Sequence, residues 1–328
     1  MKVFVTRAIP AKALENLTHS GHEVEVSKFD RILTGQELIE KGKDCDAILS
    51  LLTDKITPEV IDQLGDKIKI ISNYAVGFDN IDVAYATEKG IVITNTPCDE
   101  VNESVAEMTW AMMLALARRV VEADQVTRQG AYKGWEPAIF LGQLLRGKTL
   151  GIIGMGRIGG MVAKRAKGFE MQVLYSNRSR DEKAEQETGA QFVEMDQLLS
   201  ESDFLSLHVP LTDETRGMVN KEKFDKMKHG VILINTARGP IIKEQDLVEA
   251  LRDGKVGGAG MDVYENEPII NPELVAMENV IMTPHIGSAT HEAREAMGKL
   301  AVDALLQTFQ DQMPGNIVNK DVWEKRRK

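Results

Sequence analysis

Three polar residues stand just beyond apolar runs that read as β-strands. Arg238 follows Val231 to Asn235, Glu267 follows Gly258 to Val263, and His285 follows Val280 to Thr283 and Pro284. Open α/β sheets hold their ligands beyond the carboxyl ends of parallel strands. A histidine there can hand a proton to a developing alkoxide, an effect worth roughly 10²- to 10⁴-fold. A carboxylate on its second ring nitrogen fixes the tautomer and favours the charged ring. An arginine can clamp a carboxylate with its planar fork and polarise the carbonyl beside it. The set suits hydride addition to a 2-oxo acid. Taken singly, a buried ion pair explains Arg238 and Glu267, and a surface loop explains His285. The remaining histidines sort elsewhere: His19, His22, His229 and His291 read as structural or solvated, and His208, ending the run Phe204 to His208, reads as a packing or positioning group.

A hydride donor is suggested upstream. The run Thr149 to Ile153 leads directly into Gly154-Met155-Gly156-Arg157-Ile158-Gly159, and a helical stretch Gly160 to Lys167 follows. In this G-x-G-x-x-G loop the first glycine serves a tight turn, the second the approach of a pyrophosphate, and the third helix-on-sheet packing. The helix N-terminus adds unpaired N–H groups and a positive dipole end. After the next strand, where an NAD site would carry Asp or Glu, stand Asn177, Arg178, Ser179 and Arg180. Donors and two arginines suit a 2′-phosphate, so NADPH is expected over NADH, with NADH still possible.

The elements that must position these groups form two alternating βα series. The first holds Lys2 to Val5, His22 to Val26, Ala47 to Leu51, Ile68 to Ser72 and Ile91 to Thr94; the second runs from Thr149 to Thr283. Such alternation indicates parallel sheets. Between them Glu103 to Gln129 reads as one long helix capped by Asn102, its Met108, Met112, Ala115 and Val126 recurring at core spacing. A last helix, Ala289 to Phe309, is placed to return to the first series. The expected architecture is α/β: a Rossmann-type doubly wound domain, residues 101–287, inserted in a smaller flavodoxin-like substrate domain, residues 1–100 and 288–328.

A length of 328 residues fits two ordinary domains. A net charge of −10 argues against a nucleic-acid or anionic-membrane surface. Cys45 and Cys98 are too few for a disulfide scaffold or a zinc cluster, so no metal is expected and a cytoplasmic setting is. No apolar stretch approaches the roughly 20 residues of a membrane span.

The glycine loop, His208-Val209-Pro210-Leu211-Thr212, Asn235-Thr236-Ala237-Arg238-Gly239, Gly260-Met261-Asp262-Val263-Tyr264 through Glu267-Pro268, and Thr283-Pro284-His285-Ile286-Gly287 together resemble the D-isomer-specific 2-hydroxyacid dehydrogenases, most of all the glyoxylate and hydroxypyruvate reductases. The resemblance spans nearly the whole chain. It implies substrate binding by Arg238, support of the histidine by Glu267 and proton donation by His285. Cofactor contacts are implied at Gly154 to Gly159, Asn177 to Arg180, His208, Pro210, Thr236, Ala237, Arg238, Asp262, His285 and Gly287. Asn73 to Asp82 resembles the family's carboxylate loop, which places Ala75, Val76 and Gly77 at the substrate, and Leu51 and Leu52 look like a pocket wall. Trp135 is similar to an indole contributed by the partner in a homodimer. The implied activity is NADPH-dependent reduction of glyoxylate to glycolate or hydroxypyruvate to D-glycerate. Another dehydrogenase of the same fold, acting on phosphoglycerate or a bulkier 2-oxo acid, and a nicotinamide-sensing protein without turnover are the alternatives.

Overall fold

The computed structural model describes residues 1–328, apart from the side chain of residue 11. Two compact units emerge: Met1–Val101 with Ala289–Lys328, and Asn102–Ser288.

The first unit carries β1 (Lys2–Val5), β2 (Glu23–Val26), β3 (Ala47–Leu51), β4 (Ile70–Tyr74) and β5 (Val92–Thr94) in the order β2-β1-β3-β4-β5. All are parallel, and the order is the flavodoxin-like one. Phe4, Ile48, Ile71 and Ile93 are buried with Leu38, Ile39, Val60, Ile61 and Leu64 of the crossover helices. The helix His291–Phe309 packs on this same unit: Ser72 Oγ donates to the Ala301 carbonyl at 2.9 Å, and Tyr74 Oη to that of Arg294 at 2.8 Å. Gly298 lets it approach, since a Cβ there would lie 2.7 Å from that of Ala13.

The second unit carries β6 (Thr149–Ile153), β7 (Gln172–Ser176), β8 (Gln191–Phe192), β9 (Phe204–Leu207), β10 (Val231–Asn235), β11 (Val256–Met261) and β12 (Val280–Met282). Their order, β12-β11-β10-β9-β6-β7-β8, is the doubly wound one, and its direction reverses between β6 and β9. Strand residues alternate between two buried clusters. Ile153, Leu205, Leu207 and Leu233 enter one; Leu150, Ile152, Phe204, Ile232 and Ile234 enter the other. A sheet covered on both faces needs such unbroken apolar strands.

Three details depart from the sequence expectation. The long helix is two, Asp99–Ala117 and Val120–Arg128, with Arg119 left-handed between them at φ 53°. The break has a visible cause: the Ala117 carbonyl accepts from Gln143 N at 2.7 Å, and a Cβ on Gly142 would lie 2.1 Å from that oxygen. The first of the two helices starts at Asp99, so Asn102 lies inside it and is not a cap; Asp99 and Glu100 supply the acidic first turn. The two-residue β8 was not anticipated because so short a run carries no periodicity. Among the described residues, no helix is long and apolar enough to cross a membrane.

Candidate active site

The glycine loop stands where the strand order of the second sheet reverses. Gly154 follows β6 at φ 101°, and a Cβ there would come within 2.6 Å of the His208 carbonyl oxygen, which follows the neighbouring β9. Only glycine joins these strand ends so closely. A Cβ on Gly159 would meet the Gly154 carbonyl oxygen at 2.2 Å, whereas one on Gly156 would meet nothing within 4 Å. The space over Gly156 is therefore open. Gly156 caps the helix Arg157–Ala166 without a side-chain hydrogen bond, leaving first-turn amides uncovered for an anion. Met155 is buried beneath, and its amide donates to Asn177 Oδ1 at 3.1 Å, tying the loop to the end of β7. Beyond Asn177, Arg178 and Ser179 are exposed, while Arg180 makes a two-point pair with Glu185 at 2.8 and 2.7 Å.

His208 Nε2 lies 2.8 Å from Ser206 Oγ. Burial pushes this imidazole down to about 4, so it is neutral at physiological pH. Pro210 is exposed; Thr236 is buried, its hydroxyl 2.9 Å from that of Thr109.

At the ends of β10, β11 and β12 the proton-donor candidate acquires its partner. His285 Nδ1 lies 2.9 Å from Glu267 Oε2, and Glu267 Oε1 accepts from the Tyr264 amide at 3.0 Å. Burial alone would raise the Glu267 carboxyl. The bond from His285, the histidine's charge, the Tyr264 amide and the nearby Arg238 outweigh it and hold the group below the usual carboxylate range. An ionised Glu267 accepts the Nδ1 proton, which leaves Nε2 as the ring nitrogen that could exchange a proton. Arg238, just after β10, donates from Nη1 to the Ala237 carbonyl at 2.8 Å.

Comparison with known proteins identifies the family. Residues 110–287 match the model of the D-isomer specific 2-hydroxyacid dehydrogenase NAD-binding domain. The chain belongs to this family. It is 47% identical over 325 residues to the glyoxylate reductase of Thermococcus litoralis, covering 98% of this chain and 97% of the relative. A Thermus thermophilus protein of known structure superposes with a TM-score of 0.91 at 43% identity over 97% of this chain and 100% of that one. For a glyoxylate reductase from Paecilomyes thermophila the TM-score is 0.87 at 33% identity, covering 98% and 99% of the two chains. The protein is thus an NAD(P)-dependent dehydrogenase with a Rossmann-type cofactor domain.

Several bracing contacts around this dehydrogenase's site escaped the sequence reading, which named Asp262 only as a cofactor contact. Tyr264 Oη donates to the Thr283 carbonyl at 2.9 Å, and Ser104 Oγ to that of Gly287 at 2.7 Å. Asp262 is buried, and its carboxylate accepts from Thr283, Ile286 and Gly287. In the other unit, Leu52 is half-buried after β3, and Ala75, Val76 and Gly77 follow β4. Trp135 is 83% exposed. Periodicity cannot find such braces, because their partners are distant in sequence.

Proposed function

We propose that this dehydrogenase reduces glyoxylate to glycolate and hydroxypyruvate to D-glycerate, prefers NADPH to NADH, and works as a homodimer. The observation that carries the reading is the His285 ring held at Nδ1 by an ionised Glu267, on the same sheet as a glycine loop open above Gly156. The names of the relatives support glyoxylate as the substrate.

The loop fits a dinucleotide: the uncovered amides at Gly156 to Gly159 would take the pyrophosphate. The reduced nicotinamide, when bound, supplies a hydride to the carbonyl carbon. His285 Nε2 gives its proton to the oxygen that becomes the hydroxyl. Glu267, on Nδ1, keeps the ring turned and fixes its tautomer. Arg238 takes the substrate carboxylate and polarises the carbonyl; in the first unit, the amides of Val76 and Gly77 form an anion-binding turn suited to a carboxylate. Leu51 and Leu52 wall the substrate side. Arg178, exposed and near the Glu214 carboxylate, is the cation for the 2′-phosphate; Arg180 already lies on Glu185.

Dimerisation is supported by an exposed apolar segment of the second unit. Tyr132, Trp135, Leu141 and Leu144 are 62, 83, 70 and 74% exposed, more apolar surface than a lone chain ordinarily leaves in one stretch. A second copy would cover it and bring its Trp135 to the substrate. A panel of glyoxylate, hydroxypyruvate, phosphohydroxypyruvate and a bulky 2-oxo acid, each with NADPH and NADH, tests the reading. Highest kcat/KM on the two small acids with NADPH supports it; a clear preference for the bulky acid or for NADH overturns it. Sedimentation at a dimer mass, with a Leu141→Arg variant sedimenting as monomer, tests the assembly.

A further inference from the structure

The loop after β4 is held in a way that ordinary loops are not. Three consecutive carbonyls are each taken by a donor from the same unit: Ala75 O accepts from the Thr96 amide at 2.8 Å, Val76 O from Asn95 Nδ2 at 2.7 Å, and Gly77 O from Asn73 Nδ2 at 3.0 Å. None of these peptides is cis. In a trans peptide the carbonyl of one residue and the N–H of the next point in opposite directions. Anchoring the three carbonyls therefore aims the amides of Val76, Gly77 and Phe78 away from their anchors. Among the described residues none of those three N–H groups has a hydrogen-bond acceptor. Val76 and Gly77 are half-buried and Phe78 is exposed, so these amides stay accessible to an anion.

The anchors are themselves fixed. Asn73 is fully buried; its Oδ1 accepts from Ser50 Oγ at 3.0 Å and its Nδ2 also reaches Asn80 Oδ1 at 3.1 Å. Asn80 in turn donates to the carbonyls of Leu51 and Asp54 at 3.1 and 3.0 Å. Asn95 is held through its backbone, whose carbonyl accepts from Asn316 Nδ2 at 2.6 Å. Asn316 belongs to the C-terminal segment that returns to this unit, so the far end of the chain completes the brace.

We propose that Asn95 and Asn73 are positioning residues for substrate recognition: they turn the peptides of the 75–78 loop so that a row of amides is presented to the substrate carboxylate, Asn95 aiming Gly77 N–H and Asn73 aiming Phe78 N–H. The proposal rests on the substrate reading above. It adds that the affinity for the carboxylate is set by two side chains that never touch it. A nest of backbone amides binds an anion only while its peptide planes stay turned, and the asparagines replace the water that would otherwise let them rotate.

Asn95 is half-buried and is the residue to change. Asn95→Asp is isosteric and replaces the donor with an oxygen that repels the Val76 carbonyl; Asn95→Ala removes the donor without adding charge. The probes are glyoxylate turnover, calorimetric binding of oxalate (a small carboxylate that cannot be reduced) and NADPH binding by fluorescence. Both variants are expected to raise the glyoxylate KM and the oxalate Kd about 10- to 100-fold, the weight of one charge-assisted hydrogen bond. NADPH affinity should stay at the wild-type value, and kcat should change far less than KM. Unchanged KM and oxalate affinity in both variants would overturn the proposal. So would an equal loss of NADPH affinity, which marks general damage to the fold. If the wild type binds oxalate but reduces no small oxo acid, the substrate reading fails, while the oxalate titrations of the variants still decide the role of Asn95.

Discussion

The carboxylate of Asp262 grips the chain on both sides of His285. Its Oδ1 accepts from Thr283 Oγ1 at 2.5 Å and from the Ile286 amide at 2.8 Å, and its Oδ2 from the Gly287 amide at 2.7 Å. His285 is held between these points in the left-handed region, at φ 55°. A side chain there costs on the order of 1–3 kcal/mol, tolerated when the surroundings over-determine it. Asp262 fixes the backbone from below and Glu267 fixes the ring, so the imidazole has both its position and its tautomer imposed on it.

Asp262→Asn tests this brace. One carboxamide oxygen cannot serve three donors, so at least one buried N–H or hydroxyl is left unpaired, costing about 1–3 kcal/mol. A thermal melt should show the loss, and kcat should fall with it. A variant of wild-type stability and kcat would show that the loop holds its shape without the carboxylate.

Glu267→Gln keeps the shape of the side chain and removes its charge. Turnover is expected to fall roughly 10- to 100-fold, with NADPH binding retained. Stability supplies a second readout. Because the folded carboxyl is held below its ordinary value, its contribution is present above the unfolded carboxyl's pKa and is lost as pH falls through the folded value. The melting-temperature gap between wild type and Glu267→Gln should therefore close on acidification below the normal carboxylate range and stay open at neutral pH.

His208 gives a pH dependence at milder acidity. Its folded value of about 4 lies below the ordinary 6.5, so below pH 6.5 the unfolded chain takes up a proton that the folded chain refuses. Stability then falls from about pH 6.5 to about pH 4 and levels off below, by at most about 3 kcal/mol and less for a ring that keeps some contact with water. Chemical denaturation across that range should show a one-proton slope that His208→Gln abolishes; an unchanged slope would place the titration elsewhere.

Cofactor choice separates two neighbouring arginines. Arg178→Ala is expected to raise the KM for NADPH about tenfold and leave that for NADH unchanged, the effect of losing one charged hydrogen bond. Arg180→Ala should matter less, since its guanidinium is already spent on Glu185. Equal effects, or a larger one at Arg180, would reverse the assignment.

Strands buried on both faces read as apolar runs, and glycines fixed by close approach read as a motif, so both sheets and the Gly154 to Gly159 loop were legible in the sequence. Arg238, Glu267 and His285 stood out because each lies a few residues beyond such a run, and the structure pairs Glu267 with His285. The break at Arg119 was not, because its cause is the Gln143 amide arriving from a distant loop. Nor were Asn73, Asn95 and Asp262 as braces. An asparagine or aspartate beside a strand end looks like turn chemistry until the carbonyls and amides it meets, 19 to 25 residues away for Asn95 and Asp262, are known.

The most direct test of the proton-donor assignment is the initial rate of NADPH oxidation with saturating glyoxylate, measured for the wild type and for His285→Ala, with NADPH affinity determined for both. The expected result is rapid oxidation by the wild type and a loss of roughly 10²- to 10⁴-fold in the variant at unchanged NADPH affinity. Wild-type turnover in the His285→Ala protein would contradict the assignment.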